Sequence, residues 1–275
     1  MAFRQSEGKP ELRTILAVIG LGCLVIATFI IPLQVAQAAR TSASQQQLLP
    51  NIKPVKETLM DYDLVKNPNT GQILLRFAGG IGNYGPGTIE VVGRGAASLD
   101  SSYNVLQAYQ RVYNTDGTFV EVPVGQMTYH EAHHHYHFVN AVKYSLIDPS
   151  NKNKVVVTSA KQAFCLADVE VADPTVPNYP IAPVYNRCYN SPVATFVLMG
   201  VSPGWEDVYG KDLVGQSFDV TDLMNKPAHT YILEQTTNPD GVLRDTNGGT
   251  PQKTSIEVVI GQGVEVGVGT ARPGV

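Results

Sequence analysis

Five of the six histidines in this 275-residue chain lie between positions 130 and 137, in the segment Tyr129-His-Glu-Ala-His-His-His-Tyr-His-Phe138. Imidazole is the commonest protein ligand for zinc and copper, so a cluster of this density predicts a metal site. Two ligand patterns fit these residues, and they require different backbone conformations.

The first pattern is H-E-x-x-H, with His130 and His134 as ligands. On a helix these two side chains share a face and bind zinc, and the glutamate serves as general base of a protease. The second pattern places His133, His135 and His137 at alternate positions. A β-strand projects alternate side chains from one face, so these three could bind one metal ion.

The flanking residues favour the strand. The segments Phe119-Val-Glu-Val-Pro-Val124 and Phe138-Val-Asn-Ala-Val-Lys-Tyr-Ser-Leu-Ile147 are rich in β-branched and aromatic residues. No helix-capping signal precedes His130. We therefore expect the three alternate histidines to bind the metal from a strand, with His134 facing away and His130 supporting them.

The elements around the cluster are also predicted to be strands. Apolar or alternating runs recur between turn residues from about Leu59 onward, and no long stretch has helical periodicity. The pattern predicts a mainly β protein, with one antiparallel, sandwich-like catalytic domain, short helices and long loops. Asn114-Thr-Asp-Gly117 predicts a turn between two strands. The Gly-rich stretch 77–87 lacks a following helix signal, so it predicts a loop between strands and not a phosphate site.

The N-terminus has the features of an export signal. Basic residues precede the uncharged apolar segment 14–33, and an A-x-A-like site allows cleavage after Ala38. The apolar segment is also long enough to act as an uncleaved membrane anchor. In both cases we expect a secreted or extracytoplasmic protein, attached to a membrane only through this segment. The expected divisions are a signal peptide or anchor (1–38), a flexible linker (39–58), the copper domain (59–262) and a Gly-rich tail (263–275).

Charge and cysteine content agree with an exported protein. Residues 1–38 contain three of the 20 basic and two of the 24 acidic side chains, so the remainder has 17 and 22, a formal charge of −5. This acidic balance disfavours a nucleic-acid partner and favours cationic ligands. Cys165 and Cys188 are the two cysteines beyond the apolar segment, and in an oxidising compartment they are expected to form a disulfide.

Further motifs lie along the chain, and with the histidines they resemble the lysyl oxidase family of copper amine oxidases from Leu59 to about Ile260. The segments are His133-His-His-Tyr-His137, Lys161-Gln-Ala-Phe-Cys-Leu-Ala-Asp168 and Ser202-Pro-Gly-Trp-Glu-Asp-Val-Tyr-Gly210, with further matches around Asp63 and Arg76. The first is similar to the family's H-x-H-Y-H copper motif. The other two are similar to the segments that contribute a lysine and a tyrosine to a quinone cofactor.

The resemblance implies a copper-dependent amine oxidase with a lysine tyrosylquinone made from Lys161 and Tyr209. The implied reaction converts primary amines, either peptidyl lysine or small amines, to aldehydes with O2 and releases hydrogen peroxide and ammonia. Asp207 and Asp148 are candidate general bases, because a carboxylate in a dry site can accept a proton. The competing functions are a non-catalytic copper-binding surface protein and the zinc protease of the helical pattern.

The resemblance also raises the possibility of calcium. Some family members hold this ion through an early aspartate and a late acidic, Asn-rich loop. Asp63 matches the former, and residues 244–250 (Arg-Asp-Thr-Asn-Gly-Gly-Thr) stand at the latter. The expected partners are the amine substrate and the lysyl side chains of extracellular proteins.

Overall fold

The computed structural model describes residues 46–95, 105–158, 163–189 and 191–269. The apolar segment 14–33 and the first part of the expected linker, residues 39–45, lie outside these residues. Both helices of the described ranges have four residues, α1 (Lys56–Leu59) and α2 (Thr221–Met224), and neither could span a bilayer. The remaining elements are strands, as the mainly β prediction requires.

The largest sheet carries the histidine segment. Its strands run in the order Phe196–Val201 (β13), Ile89–Arg94 (β6), Val105–Asn114 (β7), Phe119–His130 (β8) and His135–Phe138 (β9), with Gln47–Leu48 (β1) beside the end of β7. All neighbours in it are antiparallel. The β7–β8 hairpin turns at Asn114–Gly117, where Gly117 has a φ of +83°, so the turn prediction is confirmed.

Three four-stranded sheets complete the described fold. One runs Lys154–Thr158 (β11), Val142–Asp148 (β10), His229–Thr237 (β16) and Gln252–Ile260 (β17). The second runs Glu170–Val171 (β12), Trp205–Tyr209 (β14), Gly79–Asn83 (β5) and Ile52–Pro54 (β2). The third runs Ser217–Asp219 (β15), Ile73–Phe77 (β4), Tyr62–Lys66 (β3) and Gly267–Val268 (β18), with β18 parallel to β3.

Alternation of side chains builds the core. On β7 the buried side chains are Leu106, Ala108, Gln110 and Val112, while the intervening residues are exposed or half-buried. This period of two is the one that a strand imposes when it buries one face. The apolar core thus formed includes β9, β10 and β14, which are the strands next to the candidate site.

The structure corrects the expected ends of the domain. Residues 46–58 belong to the predicted flexible linker, but Ile52 and Val55 are buried in the core. The apolar residues of this short segment are the reason: β2 adds to the β5 edge and places them inward. At the other end, Gly267 and Val268 of the expected tail pair with β3.

The Gly-rich stretch is also a correction. Gly79–Asn83 was predicted to be a loop, but it forms the fully buried strand β5 between β2 and β14. A Cβ on Gly79 would lie 1.8 Å from the Tyr144 hydroxyl oxygen, so only glycine leaves room for that side chain. The glycines therefore serve close packing between sheets.

Candidate active site

The histidines lie on a hairpin between two strands. β8 ends at His130 and β9 begins at His135, and these two residues are paired across the strands. The four residues between them form a turn, in which His134 has a φ of +57°. Residues 130–134 are therefore not helical, which removes the backbone that the H-E-x-x-H pattern needs. The strand prediction also needs correction, because His133 lies in the turn and not on a strand.

The turn nevertheless brings His133 to the two histidines of β9. Its Nδ1 lies 3.3 Å from the Nε2 of His137, which in turn lies 2.8 Å from the Nε2 of His135. All three side chains are buried, with residue exposures of 9% or less. His134 is exposed. The ring nitrogens of the three alternate histidines thus converge, although by a turn and a strand together.

His130 also lies next to the predicted ligands. One nitrogen from each of His130, His133 and His137 lies within 4.8 Å of the others, and the His130 ring stacks on that of His137 with centroids 5.0 Å apart. The sequence pattern placed His130 in a supporting role because it stands outside the alternating run. The hairpin overcomes this separation by pairing His130 with His135.

This donor set fits copper. Two nitrogens that bind one metal ion at about 2.0–2.1 Å lie roughly 2.9–3.4 Å apart, which is close to the observed spacing. Several protonated imidazoles buried at such distances would repel one another strongly. Neutral imidazoles with converging lone pairs suit copper or zinc, so His133, His135 and His137 could hold either ion, with His130 beside them.

Tyr209 lies next to this cluster. It ends β14 and is buried, with its ring centroid 6.3 Å from that of His137 in an edge-on arrangement. The Phe164 ring stacks on it at 3.9 Å, and the backbone N–H of Cys165 donates a 2.7 Å hydrogen bond to its phenol oxygen. Phe164 also forms a bridge with Phe138 of the histidine strand.

The environment of Tyr209 keeps its phenol protonated. Burial raises its pKa well above the ordinary value, the Asp207 carboxylate raises it further, and the Cys165 N–H opposes them by stabilising the phenolate. Asp207 is 1% exposed and lies two residues from Tyr209 on the same face of β14. Deprotonating this tyrosine therefore requires a nearby positive charge, which a metal ion at the histidines could supply.

Cys165 is fixed by several contacts. It forms a disulfide with Cys188. Both sulfur atoms of this disulfide lie within 4.8 Å of a ring nitrogen of His135. Three residues further on, the Asp168 carboxylate accepts hydrogen bonds from the N–H and the hydroxyl of Ser202 and from the N–H groups of Val184 and Tyr185. Asp168 thus ties this segment to the turn that precedes β14.

Lys161, the predicted partner of Tyr209, lies outside the described residues. It precedes Phe164 by three positions. The two candidate bases lie in different surroundings. Asp207 is beside Tyr209, whereas Asp148 is bonded to Ser150 and lies 3.0 Å from the ring of His229, at the far end of β10.

The aspartates suggested for calcium both accept hydrogen bonds from protein groups, but the Oδ2 atom of the buried Asp245 has no hydrogen-bond partner among the described residues. Asp63 forms a two-point ion pair with Arg76, which holds its pKa below the usual range. Arg76 also pairs with Asp212, three residues beyond Tyr209. In the late loop, Asp245 accepts hydrogen bonds from the N–H groups of Asn247 and Gly249. Asp63 thus links β3 to the loop after Tyr209 through Arg76, and the calcium site stays a prediction.

Two residues near Tyr209 escaped the sequence patterns. Tyr144 is completely buried, and Gln216 is buried with its amide pointing to the carbonyl of Phe77. Tyr144 lies in an ordinary alternating strand, and Gln216 lies next to a turn. No local signal distinguishes them from residues that only fill space.

The chain also matches known proteins. A family model described as Lysyl oxidase matches residues 95–248, more than half of the chain. Protein-lysine 6-oxidase from Homo sapiens is 32% identical over 152 residues, which cover 54% of this chain and 32% of that protein. For the protein of the same name from Gallus gallus the identity is 32% over 146 residues, covering 52% and 31%. Human lysyl oxidase homolog 3 is 31% identical over 113 residues, covering 41% and 13%.

The matched region spans about a third or less of the length of these three relatives. Within this chain, the region matched by the family model includes the histidine hairpin, the Cys165 segment and Tyr209. This match shows that the chain belongs to the lysyl oxidase family.

Proposed function

We propose that this protein is an exported copper- and quinone-dependent amine oxidase. It converts primary amines to aldehydes with O2 and releases hydrogen peroxide and ammonia. The observation that carries the proposal is the position of Tyr209. Its phenol oxygen accepts a hydrogen bond from the Cys165 N–H, and its ring lies beside the histidine cluster. Family membership supports the same class of reaction.

The histidines of the hairpin are the proposed copper ligands. His133, His135 and His137 hold the ion through neutral ring nitrogens, and His130 supports them by stacking on His137. Copper bound here would supply the positive charge and the one-electron chemistry needed to oxidise a tyrosine. The backbone turn at 131–134 fixes His133, so the ligand set is formed by local structure.

Tyr209 and Lys161 are the proposed precursors of the quinone. Phe164 holds the Tyr209 ring by stacking, and the Cys165 N–H binds its oxygen, so one edge of the ring is fixed. Lys161 is three residues from Phe164 in sequence, which supports the proposal that its side chain reaches the Tyr209 ring. A quinone formed from these residues would supply the carbonyl that reacts with the substrate amine.

Asp207 is the proposed general base. Its carboxylate is buried on the same face of β14 as Tyr209, so a substrate attached at that ring would present its α-hydrogen nearby. Burial excludes water and strengthens the electrostatic effect of the carboxylate. Asp148 lies beside His229 and not beside Tyr209, which favours Asp207 as the base.

Lysyl side chains of extracellular proteins and small amines are the proposed substrates. The acidic balance of the region beyond residue 38 favours encounter with cationic partners. The predicted export signal supports a location outside the cytoplasm, with a membrane attachment only where residues 14–33 are retained. The alternative, a copper-binding protein without catalysis, uses the same histidines but needs neither Tyr209 nor Asp207.

Hydrogen peroxide release by the copper-loaded full chain tests the proposal. We expect peroxide with a primary amine, none after Tyr209→Phe or Lys161→Arg, and unchanged copper content in both variants. Tyr179→Phe is the matched control, because Tyr179 stacks on Trp205 away from the histidines. Copper binding without peroxide from any amine would favour the non-catalytic alternative and reject the oxidase.

A further inference from the structure

A second group of potential metal ligands lies next to the histidine cluster. The Sγ atoms of Cys165 and Cys188 and one ring nitrogen of His135 all lie within 4.8 Å of one another. The two sulfur atoms are joined in the disulfide, so in this state they do not bind a metal ion as thiolates. The proposed oxidase uses the disulfide only as a structural link, which does not explain why a histidine stands against it.

The two cysteines are thiols until the disulfide forms. Every newly made chain passes through this state, and reduction returns the chain to it. A dithiol reductant gives two electrons and two protons to the disulfide and itself becomes a disulfide. Cys165 is buried, but Cys188 is partly exposed and follows the exposed Arg187, so an exchange reagent can reach one of the two sulfur atoms.

Cys165 is held by bonds that do not involve its sulfur. The preceding residue, Phe164, exchanges two backbone hydrogen bonds of 2.7 and 3.2 Å with Phe138 of β9. The N–H of Cys165 donates to the phenol oxygen of Tyr209. These bonds do not require the disulfide, so the side chain of Cys165 stays beside β9 when the disulfide is reduced.

Cys188 is held against the same strand. The N–H of Tyr136 donates a 3.2 Å hydrogen bond to the carbonyl oxygen of Tyr189, which follows Cys188. The hydroxyl of Tyr136 donates a 2.9 Å hydrogen bond to the carbonyl oxygen of Pro192. His135 precedes Tyr136 and begins β9. One short strand thus positions all three donors, whether or not the two sulfur atoms are joined.

Two thiolates and one imidazole suit Cu(I). Thiolate is a soft ligand that selects Cu(I) and zinc over harder ions, and imidazole binds copper and zinc as well. Copper is Cu(I) under the reducing conditions that keep cysteines as thiols, and this ion accepts three donors. Sulfur and nitrogen atoms that bind one ion at about 2.3 and 2.0–2.1 Å lie roughly 3.5–4.0 Å apart, which is within the spacing of this group.

We propose that the reduced chain has a second metal site, in which Cys165, Cys188 and His135 bind Cu(I), and that closing the disulfide abolishes this site. On closing, the two thiolates lose two electrons to the disulfide of an exchange partner, which takes up two protons and becomes two thiols. The copper ion keeps its oxidation state and is released beside His137, whose Nε2 lies 2.8 Å from that of His135. Because His135 belongs to both groups of donors, the state of the cysteines decides which group holds copper.

X-ray absorption spectroscopy at the copper edge tests this site in the full chain. Cys23→Ser serves as the background, so that thiolate sulfur comes only from the pair. The protein is reduced with a phosphine, loaded anaerobically with one equivalent of Cu(I), and compared with the disulfide form loaded in the same way. We expect two sulfur donors and one nitrogen donor in the reduced chain, and nitrogen donors without sulfur in the disulfide form. Nitrogen donors alone in the reduced chain would overturn the proposal.

Variants distinguish a site built by the fold from two reactive thiols. The Cu(I) affinity of the reduced chain is measured by competition with a Cu(I) chelator. We expect His135→Ala to lower this affinity about tenfold or more and to remove the nitrogen donor. Cys188→Ser should leave one sulfur donor. An unchanged affinity in His135→Ala would overturn the proposal, because the thiols alone would then account for the binding.

His134→Asn is the matched control. His134 is an exposed histidine next to His135, and asparagine tolerates its φ of +57°. We expect the Cu(I) affinity of this variant to change less than about twofold. An equal loss in the two histidine variants would show a disturbed turn and not a missing ligand, and would overturn the assignment of His135.

A second readout follows the cysteines directly. In the reduced chain, Cu(I) should slow the alkylation of Cys165 and Cys188, measured by mass spectrometry, and should slow it much less in His135→Ala. Equal rates with and without Cu(I) would reject the site. None of these measurements uses an amine, so a disulfide form that releases no peroxide would reject the oxidase and leave this site standing.

Discussion

The backbone N–H of Cys165 donates a 2.7 Å hydrogen bond to the phenol oxygen of Tyr209. This bond joins the segment that follows Lys161 to the tyrosine that is proposed to react with it. Cys165 also forms the disulfide with Cys188, so the residue that donates this hydrogen bond is itself held by a covalent link. The geometry of the proposed cofactor therefore depends on residues that are not themselves part of it.

The disulfide should contribute to both stability and cofactor formation. Replacing both cysteines, Cys165→Ser with Cys188→Ser, releases a link between positions 23 residues apart. We expect a loss of about 3 kcal/mol in the free energy of unfolding, measured by denaturant titration of the copper-free protein. An unchanged free energy would show that the contacts of Phe164 and Asp168 fix this segment without the disulfide.

The histidines should differ in their effect on copper affinity. His137→Ala removes the nitrogen that lies closest to two others, so we expect a loss of more than about 100-fold, measured by competition with a chelator. His130→Ala should cost less, about 10–100-fold, because this residue supports the cluster. The exposed His134 provides the control, and His134→Ala should bind copper normally. A large effect of His134→Ala would contradict the ligand assignment.

Glu206 should make the protein less stable as the pH rises. Burial, and then the neighbouring Glu170, raise its pKa to about 7, whereas the pKa in the unfolded chain is near 4.5. The folded state binds more protons between these values, so the contribution of this group is present below pH 4.5 and is lost as the pH rises through 7.

Glu206→Gln removes this pH dependence. At pH 8 we expect the variant to be more stable by about 1–2 kcal/mol after allowance for solvent screening, and at pH 4 to match the unchanged protein. Thermal unfolding at the two pH values measures the difference. The exposed Glu57 serves as the comparison, and Glu57→Gln should change stability by less than about 0.5 kcal/mol. An equal gain at both pH values would reject the titration of Glu206.

Gly79→Ala should be costly because the new Cβ would lie 1.8 Å from the Tyr144 hydroxyl. We expect a loss of about 2–3 kcal/mol in the free energy of unfolding, since overpacking forces a ring or a strand to move. Gly210→Ala is the matched control, because nothing lies within 4 Å of a Cβ at that position. Similar stabilities for the two variants would show that Tyr144 can leave β5 at little cost.

Much of the fold could be predicted from local patterns. Alternation along β7 and β10 predicted strands, and Asn114–Gly117 predicted the turn of the first long hairpin. The position of His133 could not be predicted in this way, because the turn at 131–134 contains none of the glycine, proline or asparagine residues that indicate turns. The pairing of His130 with His135 decides that turn, and the register of this pairing is set by the two strands and not by the turn residues.

The same limit applies to the surroundings of Tyr209. Gly79–Asn83 has the composition of a loop, yet it pairs with β2 and β14 as a strand, and its first residue must be glycine because the Tyr144 hydroxyl lies against it. That need arises from a residue 65 positions away in the sequence. The motifs indicated Tyr209 and Asp207 through their resemblance to a known family, while Tyr144 could be identified only once the strands were paired.

The central claim is that Lys161 and Tyr209 become covalently joined beside the histidine cluster. Mass spectrometry of peptides from the copper-loaded full chain tests it most directly. We expect one cross-linked species that contains both residues and is absent from the copper-free protein, from Lys161→Arg and from Tyr209→Phe. Separate, unmodified Lys161 and Tyr209 peptides from protein with a full complement of copper would contradict the account.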